Sequence, residues 1–365
     1  MSLFKPYRQN HVLADSTVAN LGSTVSLRLA NRGWWLEGII LTVTARLGAA
    51  VSGYKANGLL GAIKGVELTV NERDDGNRSV ISLGENAGMS LAELSAQEMG
   101  FCDQRTVDDC FNLGANDTIV RASVPIMFRN PLFPEPVSYR TCLPLPRYGS
   151  DPVLNVTLDT AANIATTFTT EQIVAGTVLG AVRVDALMLY RDVVDPDGSF
   201  PHWKSEISNH KKIWGATGKQ QDEDIPSGGL FTGLLVQNYA SATARTPAQV
   251  SEVYDDWVLE AAMRNIITGP EAQLRVLNEL SRGAMFAAGS SGTKLFASGF
   301  FLDFISDVTM TDTFHLRSAL DANLDALRGG KIRLIASNIA TANTWSYVTH
   351  RKLLVTQADV AAVQL

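Results

Sequence analysis

Residues 63–83 read IKGVELTVNERDDGNRSVISL, and the way they alternate decides the fold. Through Val66, Leu68 and Val70 an apolar residue recurs at every second position, with Glu67 and Thr69 between. That is the period of a strand with one buried face. Asp74, Asp75, Gly76 and Asn77 form a turn, and Ser79 to Leu83 returns as the antiparallel partner. A chain that opens this way builds sheets from hairpins and long returns.

The same period extends outward on both sides. Val25, Leu27 and Leu29 alternate, Trp35 to Leu47 reads as a longer strand, and Gly48 to Gly61 is a small-residue loop. One helix interrupts, over Met89 to Met99, with Ser90 as its cap and Leu91, Leu94 and Met99 on one face. Thr118 to Phe128 is strand-like. Pro131, Pro134, Pro136, Pro144 and Pro146 then exclude helix and central strand and predict a long ordered surface loop. Val153 to Leu158 and Ala181 to Tyr190 are further strands. Before all of these, residues 1–22 mix Phe4, Tyr7, Val12 and Leu13 with Lys5, Arg8 and His11 without sustained period, the pattern of an arm that orders against a partner.

Asp192 to Ser227 is polar and turn-rich, and reads as an exposed loop beside a domain boundary. Beyond it, Gly229 to Tyr239 is a strand. Thr246 and Pro247 signal a helix start, with Val250, Tyr254, Trp257, Val258 and Ala261 as its apolar face and Gly269–Pro270 as its stop. Glu271 to Leu280 fits helix and strand alike. Phe300 to Ile305 is a strand, Leu316 to Leu327 a helix stopped by Gly329 and Gly330, and Lys331 to Ser337 and Trp345 to Val355 are strands. The expectation is a mainly β protein: an arm at 1–22, antiparallel sandwiches at 23–190 and 191–355 with inserted helices, and a tail at 356–365.

Composition narrows the function classes. The 365 residues are 45% hydrophobic and 19% charged, with mean hydropathy near zero, as in a soluble globular protein. No apolar run has the length of a membrane helix, and Met1 to Asn10 lacks the apolar core of a secretory signal, so export by that route is not expected. A net charge of −6 opposes a broad nucleic-acid-wrapping face, leaving room only for a local basic patch. Cys102, Cys110 and Cys142 do not make a disulfide framework and read as free thiols of a reducing compartment.

Catalytic constellations are missing from the sequence. Gly289 to Lys294 has the wrong spacing for a phosphate loop, and there is no G-x-S-x-G elbow or H-E-x-x-H pair. His202 and His210, set in the polar central stretch, read as solvated loop histidines against a metal pair. Asp192, Asp195 and Asp197 lack the remaining ligands of a calcium loop, and Asp222, Glu223 and Asp224 read as solvated charge. No catalytic, metal or cofactor-binding residue is assigned. Of Trp34 and Trp35, which open a strand and face opposite sides, at least one belongs to core or interface. Trp203 and Trp214 sit in the expected exposed loop, where large apolar groups mark a binding surface; contact with a neighbouring subunit is the preferred role, set against simple packing within the loop.

The element order resembles that of the double jelly-roll major capsid proteins of tailless icosahedral viruses, bacteriophages of this capsid type being the nearest comparison. The residues that carry the likeness are Thr24 to Leu47, Ile63 to Leu83, Met89 to Met99 and Thr118 to Leu158, then Gly229 to Tyr239, Phe300 to Ile305, Leu316 to Leu327 and Trp345 to Leu354. Thr246 to Ser281, as a helix-rich stretch, departs from it. The resemblance implies two eight-stranded jelly rolls, a homotrimer of pseudo-hexameric outline, and a self-assembling icosahedral virion shell built after synthesis in the host cytoplasm. Partners would be neighbouring capsomers and other virion proteins, with Lys5 and Arg8 of the arm meeting an internal membrane, the genome or a capsomer. It implies no enzyme activity and no small-molecule substrate. The rival readings are a carbohydrate-binding β-sandwich using aromatics such as Trp203, and a cupin-type metalloenzyme needing clustered histidines.

Overall fold

The computed structural model describes residues 10–30, 34–46, 59–73, 75–99, 119–131, 133, 137–160, 181–191, 202–215, 221–225, 230–239, 256–261, 264–271, 273–274, 276, 299–304, 314–315, 332–337 and 344–354. The chain divides into two compact units, Met1–Trp203 and Lys204–Leu365.

In the first unit the strands are β1 (Asn10–Asn20), β2 (Thr24–Arg28), β3 (Trp35–Arg46), β4 (Ile63–Glu72), β5 (Gly76–Leu83), β6 (Ile119–Met127), β7 (Leu143–Pro144), β8 (Val153–Leu158) and β9 (Ala181–Arg191), with helix α1 (Ala87–Met99) between β5 and β6. One sheet runs β1-β9-β3-β6 and the other β5-β4-β8-β2, with antiparallel pairing along both. Inward rows follow the alternation in the sequence. Leu41 and Val43 pair with Val124 and Ala122 on one side and with Ala186 and Val184 on the other, while Val66 and Leu68 pair with Val156 and Leu154. All are buried, and together they form the apolar layer that stabilises a two-sheet sandwich. Gly76, at φ +78, supplies the left-handed residue of the hairpin turn that the DDGN sequence predicts.

In the second unit the strands are β10 (Ser205–Trp214), β11 (Gln221–Ile225), β12 (Leu230–Tyr239), β13 (Asp256–Ala261), β14 (Arg264–Gly269), β15 (Gly299–Asp303), β16 (Phe314–His315), β17 (Ile332–Ser337) and β18 (Thr344–Leu353). Its sheets run β15-β12-β18-β10 and β11-β17-β13-β14. Trp214, Ile225, Phe231, Val236, Trp257, Leu259, Phe300, Leu334 and Val348 share one core.

The two units have the same topology. With the two-residue strands β7 and β16 set aside, the strands of each unit occur in the order 1-8-3-6 in one sheet and 2-7-4-5 in the other. Even the short strands correspond, each lying between the sixth and seventh strands and pairing with the third. The repetition is architectural, since no residue-level repeat accompanies it.

Several expectations are corrected. The reading of residues 1–22 as an arm without regular structure fails from Asn10 onward, because β1 pairs with β9 from Asn10↔Tyr190 to Asn20↔Ala181. A bulge between Leu13 and Asp15 breaks its alternation and hides the strand in the sequence. Ser90 does not cap α1, which begins at Ala87; its N–H donates to the Asn86 carbonyl inside the first turn. The proline-rich segment is no surface loop throughout. Phe133, Tyr139, Cys142, Leu143, Leu145 and Tyr148 are buried, and Leu143–Pro144 pairs with Trp35 and Leu36.

The polar stretch 192–227 contains β10 and β11, whose charged side chains pair with one another and so mask a strand. The helix expected from Thr246 is overturned over its described part, where residues 256–261 and 264–269 form a hairpin. Trp257 and Leu259 point inward and Val258 and Glu260 do not, a period of two that partners on both sides of β13 impose over helical spacing. Of the ambiguous segment Glu271 to Leu280, residues 271, 273, 274 and 276 are helical, and the rest lies outside the described residues. The expected helix Leu316 to Leu327 lies outside the described residues.

Gly299 opens β15 at φ +133, and a Cβ there would stand 2.0 Å from the Val236 carbonyl oxygen of β12. Gly299→Ala is therefore expected to lower stability by roughly 2 kcal/mol or more, read as a shifted midpoint in chemical denaturation.

Candidate assembly surfaces

The first unit presents two unlike outer faces. On β2-β8-β4-β5 the outward pairs are mostly polar, with Thr24 and Thr157 hydroxyls 3.0 Å apart and the Ser26 hydroxyl donating to Asn155 Oδ1 at 2.7 Å, and Val153, 37% exposed between Arg28 and Thr69, is the large apolar residue among them. Outward on β1-β9-β3-β6, register aligns Leu13, Leu187, Ile40 and Pro125 in one apolar row across four strands. Further along, Ser16, Asp185, Thr42 and Ser123 make a polar row, then Val18, Arg183, Thr44 and Arg121 a mixed one. Leu13 is 48% exposed, Val18 68% and Ile119 49%. The first face exposes one large apolar residue, Val153, whereas the second exposes three, which a covering surface would remove from solvent.

At one end of the same unit, aromatic rings and guanidinium groups pack around a single buried carboxylate. Glu37 on β3 has Arg191 Nε at 2.6 Å and Arg129 Nη1 at 3.8 Å. Both guanidiniums also lie over the Tyr139 ring, at 4.4 Å for Arg129 and 4.9 Å for Arg191. Burial, and then Glu37, push the neighbouring Cys142 thiol well up, so it stays a protonated thiol with the chemistry of a small apolar group. Cys102 and Cys110 lie outside the described residues.

Trp203 belongs to this cluster, and its expected position in an exposed loop is corrected. It is 3% exposed, stands edge-on to Phe133 at 5.8 Å, and carries the Arg140 guanidinium over its ring at 5.2 Å. Its backbone N–H donates to the Arg140 carbonyl at 2.7 Å. Its ring packs within the first unit. Trp35 is buried and meets His202 edge-on, while Trp34 is half-buried and stacks on Tyr190 at 4.0 Å.

Trp214 is likewise buried, at the C-terminal end of β10 and not in a loop. Its indole N–H donates to Ser346 Oγ at 2.7 Å, which donates to Asn238 Oδ1 at 2.6 Å. The Asn238 amide donates to Glu271 Oε2 at 3.0 Å, and the other Glu271 oxygen accepts the Gly299 N–H at 2.9 Å. This chain of bonds crosses β10, β18, β12 and β15 in sheet order, so the tryptophan is the end of an internal staple. A sequence search for exposed aromatics misses this because the partners lie 132 and 108 residues apart.

The acidic run is a strand. Glu223 faces inward to Lys212 at 2.8 Å, and Asp222 lies 3.3 Å from Arg333, which also pairs with Glu260. Among the described residues no group of three or more His, Cys, Asp or Glu is placed to hold a metal ion. Asp192, Asp195, Asp197 and Gly289 to Lys294 lie outside them, as do Lys5 and Arg8. No described helix is long and apolar enough to cross a membrane.

Comparison of the whole chain with solved structures places this architecture. The major capsid protein of Sulfolobus Turreted Icosahedral Virus superposes over 98% of this chain and 100% of its own at TM-score 0.66 and 10% identity. The fold is a double jelly roll. VP54 of PBCV-1 shares it over 97% of this chain and 95% of its own, at TM-score 0.61 and 12% identity. The major capsid protein P2 of bacteriophage PM2 shares it over 96% and 99%, at TM-score 0.55 and 12% identity. No sequence-family model matches this chain, and no curated protein shows significant sequence similarity to it. The fold is thus shared at an identity where few individual side chains coincide.

The staple yields a test inside the second jelly roll. Trp214→Phe and Ser346→Ala each leave a buried polar partner unsatisfied and are expected to cost about 1–3 kcal/mol. A double-mutant cycle in urea should show the two losses to be strongly non-additive, as one shared bond requires.

Proposed function

We propose that this chain is the major capsid protein of a tailless icosahedral virus, a building block that acts by mating with copies of itself. The observation that carries the reading is coverage. Capsid proteins match nearly the full length of the chain and nearly their own full length, leaving little of it for a separate activity. No catalytic residue is assigned, and the product of the fold is a surface.

In this reading three copies form a pseudo-hexameric capsomer, since each contributes two like jelly rolls, and capsomers tile a closed shell. The outer face of β1-β9-β3-β6 is assigned to contact with a neighbouring copy, because it is the described face on which Leu13, Val18 and Ile119 remain exposed. Many weak contacts then add through closed symmetry, so no single interface needs high affinity. The protein is made in the host cytoplasm and resides in the virion, where Lys5 and Arg8 face the interior and meet an internal membrane, the genome or a neighbouring capsomer. Other virion proteins complete the shell.

Mass photometry of the purified protein tests both parts. The expected species is a trimer, and Leu13→Asp with Val18→Asp is expected to leave a folded monomer, since both side chains are solvent-exposed within the chain. A wild-type monomer that stays monomeric on concentration would overturn the assembly reading. A trimer unchanged by the two aspartates would overturn only the choice of face.

A further inference from the structure

Two imidazoles face each other inside the second unit, and the described surroundings offer no counter-charge that is not already engaged. His210 on β10 and His350 on β18 have ring centroids 6.3 Å apart. His350 is 1% exposed, one ring nitrogen sits 2.9 Å from the Ser208 hydroxyl, and Nδ1 is buried without a hydrogen bond. Its ring lies 5.3 Å from that of Phe231 on β12. Both ring nitrogens of His210 are buried without a hydrogen bond, the nearest carboxylate oxygen being Glu223 Oε1 on β11 at 3.7 Å.

The charges facing the pair are balanced before either ring is protonated. From β10 come Glu206 and Lys212, from β18 Lys352, and from β11 Glu223. Lys212 holds Glu223 at 2.8 Å, and Lys352 lies 3.7 Å from Glu206. Two carboxylates thus meet two ammonium groups. Each added proton leaves an uncompensated positive charge between sheets, beside another imidazole and two lysines.

We propose that His210 and His350 form an acid-sensitive latch that holds β10 against β18 and β11 while both rings are neutral and loosens that side of the second unit when they are charged. Burial, then Lys352 and His210, push His350 down to about 3, and burial also lowers His210 although Glu223 opposes it. The sign follows. The unfolded chain binds protons at these positions below pH about 6.5, where the folded unit resists them, so stability is full above that pH and falls as the pH drops toward the folded values. The latch goes beyond the assembly reading and does not rest on it, because the strands concerned belong to one unit of one chain.

Hydrogen–deuterium exchange on the full-length protein at pH about 7.5 and about 5, corrected for intrinsic rates, tests the latch. Amides of β10, β11 and β18 are expected to lose protection by up to about tenfold per pH unit per histidine below pH about 6.5, while β3 and β6 of the first unit hold theirs. His210→Gln with His350→Gln is expected to flatten that acid profile; should the pair fail to fold, His210→Gln alone must reduce the slope. Equal acid loss in both units, or a wild-type acid profile retained in a folded variant, would overturn the latch. Oligomeric state is read separately, so a failed latch leaves the assembly reading standing.

Discussion

Each unit depends on one long-range pairing, that of its first strand with its last. β1 meets β9 and β10 meets β18, antiparallel and nearly full length, across most of the unit's sequence. Closing so long a loop costs conformational entropy that only many ladder bonds and a buried face offset. Once made, the pairing places the third strand beside the last and the sixth at the far edge. The remaining four strands then cover the exposed apolar face, and the sandwich closes.

Polar chemistry inside the two units has different uses. In the first, Glu37 collects two guanidiniums over Tyr139, a charge cluster whose aromatic floor lets arginine stems pack as apolar groups. In the second, the run from Trp214 to Gly299 ties four strands together through neutral groups and one carboxylate. Buried networks of this sort specify one register, because a slip of one residue would strand every donor at once. The histidine pair lies on the same sheet but is left short of partners, which makes it the place where conditions act.

The fold was legible wherever one face of a strand is apolar and the other polar. Val25 to Leu29, Val66 to Val70 and the inward residues of Thr118 to Phe128 carry that pattern in full. It was hidden in three circumstances. A bulge shifts the alternation of β1; ion pairs replace apolar residues on β10 and β11; and on β13 the adjacent Trp257 and Val258 mimic a helical face. The candidate surface was legible only in part. Trp203 and Trp214 look like binding residues because their cation and hydrogen-bond partners are distant in sequence, whereas Leu13 and Val18 look unremarkable until register shows what stands beside them.

In the proposed assembly, two sandwiches of identical strand order in one chain matter physically because three copies would set six similar bodies around a threefold axis. Contact area repeated by symmetry would there take the part that a single tight site plays elsewhere. Electron microscopy of the purified protein measures this most directly. The account predicts particles with a threefold axis and a six-lobed outline; fields of isolated chains, or particles without threefold symmetry, would contradict it.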